Sequence, residues 1–139
     1  RMDSLQATVL KYRLERLADV INIRRTHAES YREAFTDLEI DLPPHSNSHF
    51  DTFHTFVIQT DSRDSLKDFL AEYGIGSAIH YPTLIPDQPA MQTLPYRVVG
   101  DLAQARRQSQ RILSLPIHQL LTASQVAFVI EKVRAFFGV

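Results

Sequence analysis

The stretch FHTFVIQTDSRDSLKDFLAEYGIG, residues 53–76, changes from a pattern typical of a β-strand to the spacing of an α-helix. Its first eight residues are rich in aromatic and β-branched side chains, which favours a β-strand. Asp61 or Ser62 can cap a helix that continues at helical spacing to Gly74, a residue type common just after a helix. On the strand, His54, Phe56 and Ile58 are expected to lie on one face. On the helix, the apolar side chains at helical spacing are Leu66, Phe69 and Leu70. A strand joined directly to a helix predicts an α/β fold.

Upstream of this stretch, apolar side chains recur at helical spacing from residue 3 to about 38. No Pro or Gly interrupts them, which predicts one long helix, or two helices broken near Asn22. Seven basic and seven acidic residues up to Ile40 are typical of a solvated face with ion pairs. Only Asp3 or Ser4 is available to cap the start of this helix, and the chain opens at Arg1 without a methionine. We therefore expect the sequence to be a piece of a longer protein.

Downstream, two more strands and two more helices are predicted. Ser77–Tyr81 favours a short strand that stops at Pro82, and the prolines of the following stretch predict a loop without regular pairing. A helix to about Ile112 and an edge strand over 113–117 follow, and Thr122 begins a Thr-x-x-Gln capping box before the last helix. We expect one domain over residues 1–139: a helical segment over 1–40, and over 53–139 a roughly three-stranded sheet covered by helices on one face.

The composition excludes several classes of protein. With 139 residues, 44% of them hydrophobic, the chain has the size of one globular domain. The net charge of -1 predicts neither a nucleic-acid partner nor an anionic membrane surface. No apolar run approaches the roughly 18 residues of a membrane span. The absence of cysteine excludes disulfides and thiolate chemistry and fits a reducing compartment, so we expect a cytoplasmic protein.

Charged and metal-ligating residue types form no strong motif. No glycine-rich phosphate loop or serine nucleophile elbow is present. His45 and His49 lie on a proline-flanked loop where their spacing gives no common helical face, so solvated imidazoles are favoured over a metal site. Arg106, Arg107 and Arg111 are interpreted as a solvated helical face, with an anion-binding patch as the alternative.

The most concentrated polar chemistry lies in GIGSAIHYP, residues 74–82. A strand that ends in His80 and Tyr81 and turns on a proline would present an imidazole and a phenol side by side at a sheet edge. Such groups can hydrogen-bond phosphate or sugar hydroxyls. The residues alone equally support a structural His80 with its own partner and a Tyr81 in the core.

Five segments resemble, in order, the motifs of one known family. They are Arg-Met-x-x-x-Gln-Ala at 1–7, His-x-Phe-Val-Ile at 54–58, Gly-Ile followed by His-Tyr-Pro at 74–82, Gln-x-Ala at 88–90, and Ser-Leu-Pro-x-His with a later Thr at 114–122. Their succession over nearly the whole chain is similar to the DegT/DnrJ/EryC1/StrS family of pyridoxal-phosphate-dependent sugar-nucleotide aminotransferases. The resemblance implies the C-terminal small domain of a fold-type I aminotransferase, with the helix that joins it to the large domain.

The resemblance also implies which functional groups this chain holds. The family's catalytic lysine lies in the large domain, and none of the three lysines here matches its motif; they are Lys11, Lys67 and Lys132. No catalytic residue is therefore expected in this chain, which alone would be inactive and would not bind pyridoxal 5'-phosphate. By residue-wise carry-over, His80 and Tyr81 would contact the sugar-nucleotide. Arg1 would lie near the cofactor phosphate of the neighbouring subunit.

The implied reaction moves an amino group, usually from glutamate, onto a nucleotide-linked keto-sugar in a homodimer, with the small domain helping to close the site. The chain departs from the family at Pro86 and Met91, where many members have a histidine and an aromatic residue, so the loop's substrate contacts are expected to differ. Two alternatives stay open: a free-standing ligand-binding or regulatory α/β module without catalysis, and a pure dimerisation element.

Overall fold

The computed structural model describes residues 2–45 and 48–139. Within these ranges the helices are α1 (Ser4–Leu14), α2 (Leu17–Ala34), α3 (Arg63–Glu72), α4 (Ala103–Arg111) and α5 (Ala123–Phe136). The strands are β1 (Phe56–Gln59) and β2 (Ile112–Leu115). Two short 3-10 turns, Ile85–Asp87 and Pro89–Thr93, interrupt the proline-rich loop, which has no strand pairing, as predicted.

The predicted N-terminal helix is two helices, and their boundary differs from the expected one. Asp3 caps α1 by accepting a hydrogen bond from the Gln6 N–H at 2.8 Å. The break lies between Leu14 and Leu17 rather than near Asn22. There the Arg16 N–H donates to the Arg13 carbonyl at 3.1 Å, so the last turn tightens to 3-10 geometry. No side chain of α1 is buried, whereas α2 packs on the core, so the break comes where packing begins.

The sheet has two strands where about three were expected. β1 and β2 pair antiparallel, with Phe56 opposite Leu115. The segment predicted as a strand at Ser77–Tyr81 joins β2 only through a single bridge at Ala78. Pro82 follows closely and lacks the N–H that a longer ladder would need.

The core lies on one face of this small sheet. Phe56 and Ile58 of β1 are fully buried among side chains of α2, α3 and α5, which confirms a helical layer on that face. The predicted strand begins at Phe53, whereas β1 begins at Phe56. His54 therefore lies outside the strand and does not share the buried face of Phe56 and Ile58; its side chain is exposed. The prediction for the following helix is confirmed at Leu66 and Leu70, which are fully buried.

Two local predictions for the later elements are confirmed. Thr122 and Gln125 form the capping box of α5: the Thr122 N–H donates to the Gln125 side chain at 2.9 Å, and the Gln125 N–H donates to the Thr122 hydroxyl at 3.2 Å. Gly74 follows the C-terminus of α3 with φ 71°, a left-handed conformation that suits glycine. β2 begins at Ile112, one residue before the predicted strand.

The arginines of α2 and α4 have partners that the sequence did not specify. Arg24 and Arg25 donate to backbone carbonyls rather than to carboxylates. Arg106 pairs with Asp87 of the proline-rich loop. Arg111 contacts two carboxylates from other elements, Asp41 and Asp61, at 2.8 and 2.6 Å. These two α4 arginines therefore hold the fold together and are not available as a free anion-binding patch.

Residues 2–45 and 48–139 contain neither a membrane-spanning helix nor a cluster of metal-ligating side chains. None of the helices described there combines the length and apolar character that crossing a membrane requires. The same residues contain no group of three or more histidine or acidic side chains placed to hold a metal ion.

Candidate functional site at the His80 edge of the sheet

The His80 imidazole is held against β2 by a buried serine. Ala78 exchanges both backbone hydrogen bonds with Ser114, at 3.1 and 2.7 Å, which aligns the 77–80 segment with the strand. The His80 Nδ1 then lies 2.9 Å from the Ser114 hydroxyl. Ser114 is only 6% exposed, while the His80 side chain remains exposed. One ring nitrogen is therefore occupied by the fold, and the Nε2 side is left for a ligand.

The Tyr81 ring lies beside His80 and faces solvent. The two rings meet edge-on, with centroids 5.7 Å apart and planes at 89°. Tyr81 is 74% exposed, so the alternative that placed it in the core is wrong. The alternative of a structural His80 is right in part. Its imidazole has a hydrogen-bond partner in the fold, as that alternative required, but the side chain is also exposed. The peptide bond between the two residues is cis.

Two grooves meet at His80. The first, which we call the His54–His80 groove, has a volume of about 440 Å³, and its polar lining comes from α2, the two residues before β1, the 76–80 segment and β2. The second, which we call the Tyr81 groove, has a volume of about 400 Å³ and lies between Tyr81, the 83–85 turn and one face of α4. Because His80 lines both, a ligand that spans the grooves would pass over its imidazole.

Arg24 fixes the backbone at the inner wall of the His54–His80 groove. Its guanidinium donates to the carbonyl oxygens of Phe53 at 3.2 Å and His54 at 2.9 Å. A further contact of 3.5 Å reaches the side-chain oxygen of Gln119. Arg24 thereby ties α2 to the segment that enters β1 and holds His54 at the groove.

Sequence reasoning missed three of these residues. Arg24 was counted within a balanced helical face, and His54 and Ser114 were noted only as members of family motifs, with no role at a site. The serine carried a signal: a polar side chain between Leu113 and Leu115 in a buried strand needs a hydrogen-bond partner. Arg24 and His54 carried no such signal, because their juxtaposition arises from packing.

Other predicted residues lie away from this site or outside the described part of the chain. Arg1 lies outside the described residues. His118 accepts the Leu120 N–H at its Nδ1, at 3.2 Å, which orders the turn before α5. Lys132 pairs with Glu131 at 2.6 Å and lies 4.6 Å above the centre of the Tyr73 ring.

The chain's lysines do not converge on the His80 site. Lys11 lies on the exposed helix α1, and Lys67 lies on α3. None of the three lysines, Lys132 included, lines the His54–His80 groove or the Tyr81 groove. The polar groups at the His80 edge are imidazoles, a phenol and hydroxyls.

Comparison with known proteins matches both the sequence and the fold. A "Pleiotropic regulatory protein" of Geobacillus stearothermophilus is 33% identical over 99% of this chain and 37% of its own length. A UDP-N-acetyl-3-dehydro-alpha-D-glucosamine 3-aminotransferase of Acidithiobacillus ferrooxidans is 32% identical over 96% of this chain and 36% of its own length. The chain thus spans a little over a third of the length of these relatives.

A solved structure shares the fold over the whole chain. The crystal structure of Streptomyces venezuelae DesV in complex with a ketimine intermediate superposes with a TM-score of 0.91 and 32% identity, covering 100% of this chain and 38% of that one. The small α/β unit with its exposed His80 edge therefore has the fold of a domain found in aminotransferases. The model of the DegT/DnrJ/EryC1/StrS aminotransferase family matches residues 1–134, and the chain belongs to this family, whose members depend on pyridoxal phosphate.

Proposed function

We propose that this chain is the C-terminal domain of an aminotransferase that moves an amino group onto a nucleotide-linked keto-sugar. The observation that carries the proposal is the family match over residues 1–134, joined to an exposed His80–Tyr81 pair where two grooves meet. One relative is named for a UDP-linked amino-sugar reaction, which supports a nucleotide-sugar substrate for this protein. Glutamate as donor, a homodimer and a cytoplasmic location belong to the same proposal.

In this proposal the chain supplies recognition, and the chemistry lies elsewhere in the whole protein. Pyridoxal phosphate, when bound, supplies the electron sink that amino transfer requires. The lysine that carries it would lie outside this chain, since Lys11, Lys67 and Lys132 do not line either groove at the His80 edge. Arg1 would lie near the cofactor phosphate of the neighbouring subunit. The isolated chain would then be inactive and would not bind the cofactor.

His80 and Tyr81 would contact the sugar-nucleotide. The Ser114 hydroxyl occupies His80 Nδ1, so the Nε2 side faces any ligand that lies along the edge. Tyr81 presents its ring face and hydroxyl with little cover from the rest of the domain. If the domain closed over a substrate, the His80 and Tyr81 side chains would contact polar oxygens of the substrate, and water would be excluded from these contacts.

The test is amino transfer by the whole protein with pyridoxal phosphate, glutamate and nucleotide-linked keto-sugars. We expect activity from the whole protein and none from the isolated chain. His80→Ala and Tyr81→Phe should each raise KM for the sugar-nucleotide about tenfold, the effect of losing one hydrogen bond in a binding site. His45→Ala is the matched control, since this exposed imidazole lies outside both grooves. Unchanged KM in both site variants would contradict the assigned contacts.

A regulatory protein without catalysis is the second candidate, because the Geobacillus stearothermophilus relative carries a regulatory name. Borohydride reduction of the whole protein separates the two. A lysine that retains the reduced cofactor supports the transaminase, and a whole protein that binds no cofactor and transfers no amino group supports the regulator.

A further inference from the structure

A further groove, which we call the α3–α5 groove, lies between the residues that end α3 and the first two turns of α5. Its volume is about 570 Å³, which is within the range of about 300–1,000 Å³ typical of small-molecule sites. It adjoins the His54–His80 groove at Gly76 and Pro116, which line both. The larger apolar side chains that line it are Tyr73, Ile75, Leu121, Phe128 and Val129.

The His118 imidazole lines this groove and is oriented by the backbone of its own turn. The Leu120 N–H lies 3.2 Å from His118 Nδ1, and a backbone N–H can only donate, so Nδ1 accepts and carries no proton. The proton of the neutral ring is therefore on Nε2. His118 is exposed, and no residue within 2–45 and 48–139 accepts a hydrogen bond from this Nε2–H. The fold thus presents one fixed donor at the groove.

The side-chain amide of Gln125 is oriented in the same way and lines the same groove. Its Oε1 accepts the Thr122 N–H at 2.9 Å in the capping box of α5, and the Thr122 hydroxyl lies 3.3 Å from the same oxygen. Because the oxygen is occupied by these donors, the NH₂ group is the part that remains for a ligand. The groove therefore has a second side-chain donor whose orientation is set by the backbone.

Two aromatic rings in the groove lining are bridged by one lysine. Lys132 Nζ lies 4.6 Å from the centre of the Tyr73 ring and 5.1 Å from the centre of the Phe128 ring. Tyr73 is 45% exposed and Phe128 is 39% exposed, so both rings retain accessible surface. Aromatic surface of this kind is stabilised when another ring packs against it.

We propose that the α3–α5 groove binds a small aromatic molecule that carries a carbonyl oxygen, as an amide or a carboxylate. The ring packs against Tyr73 and Phe128, and the oxygen accepts hydrogen bonds from His118 Nε2–H and the Gln125 NH₂ group. No acidic side chain lines the groove in the described part of the chain, so an oxygen with negative or partial negative charge is not repelled. This site goes beyond the proposed function and does not depend on amino transfer.

Ligand-observed NMR on the whole protein tests the site, with benzamide, benzoate and aniline as separate probes. We expect saturable binding of benzamide or benzoate. Aniline lacks a carbonyl and should bind about tenfold more weakly or less, the effect of losing one hydrogen bond. The tighter carbonyl probe identifies the group as an amide or a carboxylate. Aniline that binds as tightly as the better carbonyl probe would overturn the proposal, and so would a failure of both carbonyl probes to saturate.

Two variants each remove one donor and keep the local fold. Gln125→Glu retains an oxygen for the Thr122 N–H, and with it the capping box, but has no NH₂ group. His118→Asn retains an acceptor for the Leu120 N–H but is too short to place a donor at the Nε2 position. Each should weaken binding of the tighter probe about tenfold or more. Gln110→Glu is the matched control, since Gln110 is exposed and lies outside the groove, and it should leave binding unchanged.

A third variant tests the aromatic contact. Phe128→Leu keeps an apolar side chain without a ring and should weaken the tighter probe about threefold or more. Thermal unfolding of every variant separates a lost contact from a lost fold. Saturable binding that is unchanged in folded Gln125→Glu, His118→Asn and Phe128→Leu would show that the probe binds elsewhere and would overturn the proposal. Because no turnover is measured, this result stands whether or not the whole protein transfers an amino group.

Discussion

Removal of the Tyr31 hydroxyl should destabilise the domain without disturbing its aromatic core. Tyr31 is fully buried, and its O–H donates to the carbonyl of Pro116 at 2.9 Å. Its ring packs against Phe35 and Phe56, with centroids 5.8 and 5.2 Å away. This contact joins α2 to the segment after β2, and Pro116 lines the His54–His80 groove. Tyr31 thus links the stability of the core to the geometry of the site.

The magnitude follows from what each variant removes. Tyr31→Phe keeps the ring and leaves a carbonyl without its donor, which costs about 1–2 kcal/mol of unfolding free energy. Tyr31→Ala also removes the ring and leaves a cavity, for a total of about 3–5 kcal/mol. With a urea dependence of about 2 kcal/mol per molar, the midpoint should fall by roughly 0.5–1 M for the phenylalanine variant. The exposed Tyr73 provides the control, and Tyr73→Phe should stay within about 0.5 kcal/mol of the original chain.

The assay is urea unfolding at neutral and alkaline pH. Burial raises the pKa of the Tyr31 phenol, so the folded state keeps its proton where the unfolded chain loses it. The resulting stabilisation is complete below the unfolded pKa of about 10 and is lost as pH rises above it. The difference between the original chain and Tyr31→Phe should therefore shrink between pH 9 and pH 11. Equal midpoints at neutral pH, or a constant difference across that range, would refute the reasoning.

Three further predictions concern two helix ends and one ion pair. Thr122→Ala removes the hydroxyl half of the α5 capping box and should cost about 1 kcal/mol in urea unfolding, whereas Thr122→Ser should preserve it. Gly74→Ala forces an L side chain to φ 71° and should cost about 1 kcal/mol, while Gly76→Ala, without a positive φ and with open space at its Cβ, should be near neutral in the same assay. Arg134 lowers the pKa of Asp37, so this pair stabilises the fold above the ordinary carboxyl range and loses that effect as pH falls through the folded pKa. Asp37→Asn should flatten the acid limb of the stability–pH profile, and an unaltered acid limb would show that the pair contributes nothing.

The elements of the fold were predictable where local pattern and local structure coincide. The capping residues Asp3 and Thr122, and Gly74 after α3, act within a few residues of their own position, so sequence spacing suffices. Predictions failed where a distant contact decides the outcome. The third strand reduces to a bridge at Ala78, and the helix break falls at the edge of the packed region.

The candidate site was predictable only in its most local part. The His80–Tyr81 pair is adjacent in sequence, and its two rings do lie side by side. The groove around it was not predictable, because its wall joins groups far apart in the chain. Arg24 reaches the His54 carbonyl across 30 residues, and Ser114 reaches His80 across 34.

The sequence by itself determined the helical and strand periods, the caps, the motif order of the family and the position of His80 and Tyr81. These depend on side chains that act on their own neighbours or on a fixed linear order. Only the tertiary structure decided that His54 faces a groove, that Arg24 has no ionic partner among the described residues, and that a buried serine contacts one nitrogen of His80. Such contacts form when packing of α2 and β2 brings remote segments within hydrogen-bond distance, and no periodicity in a single chain records those distances.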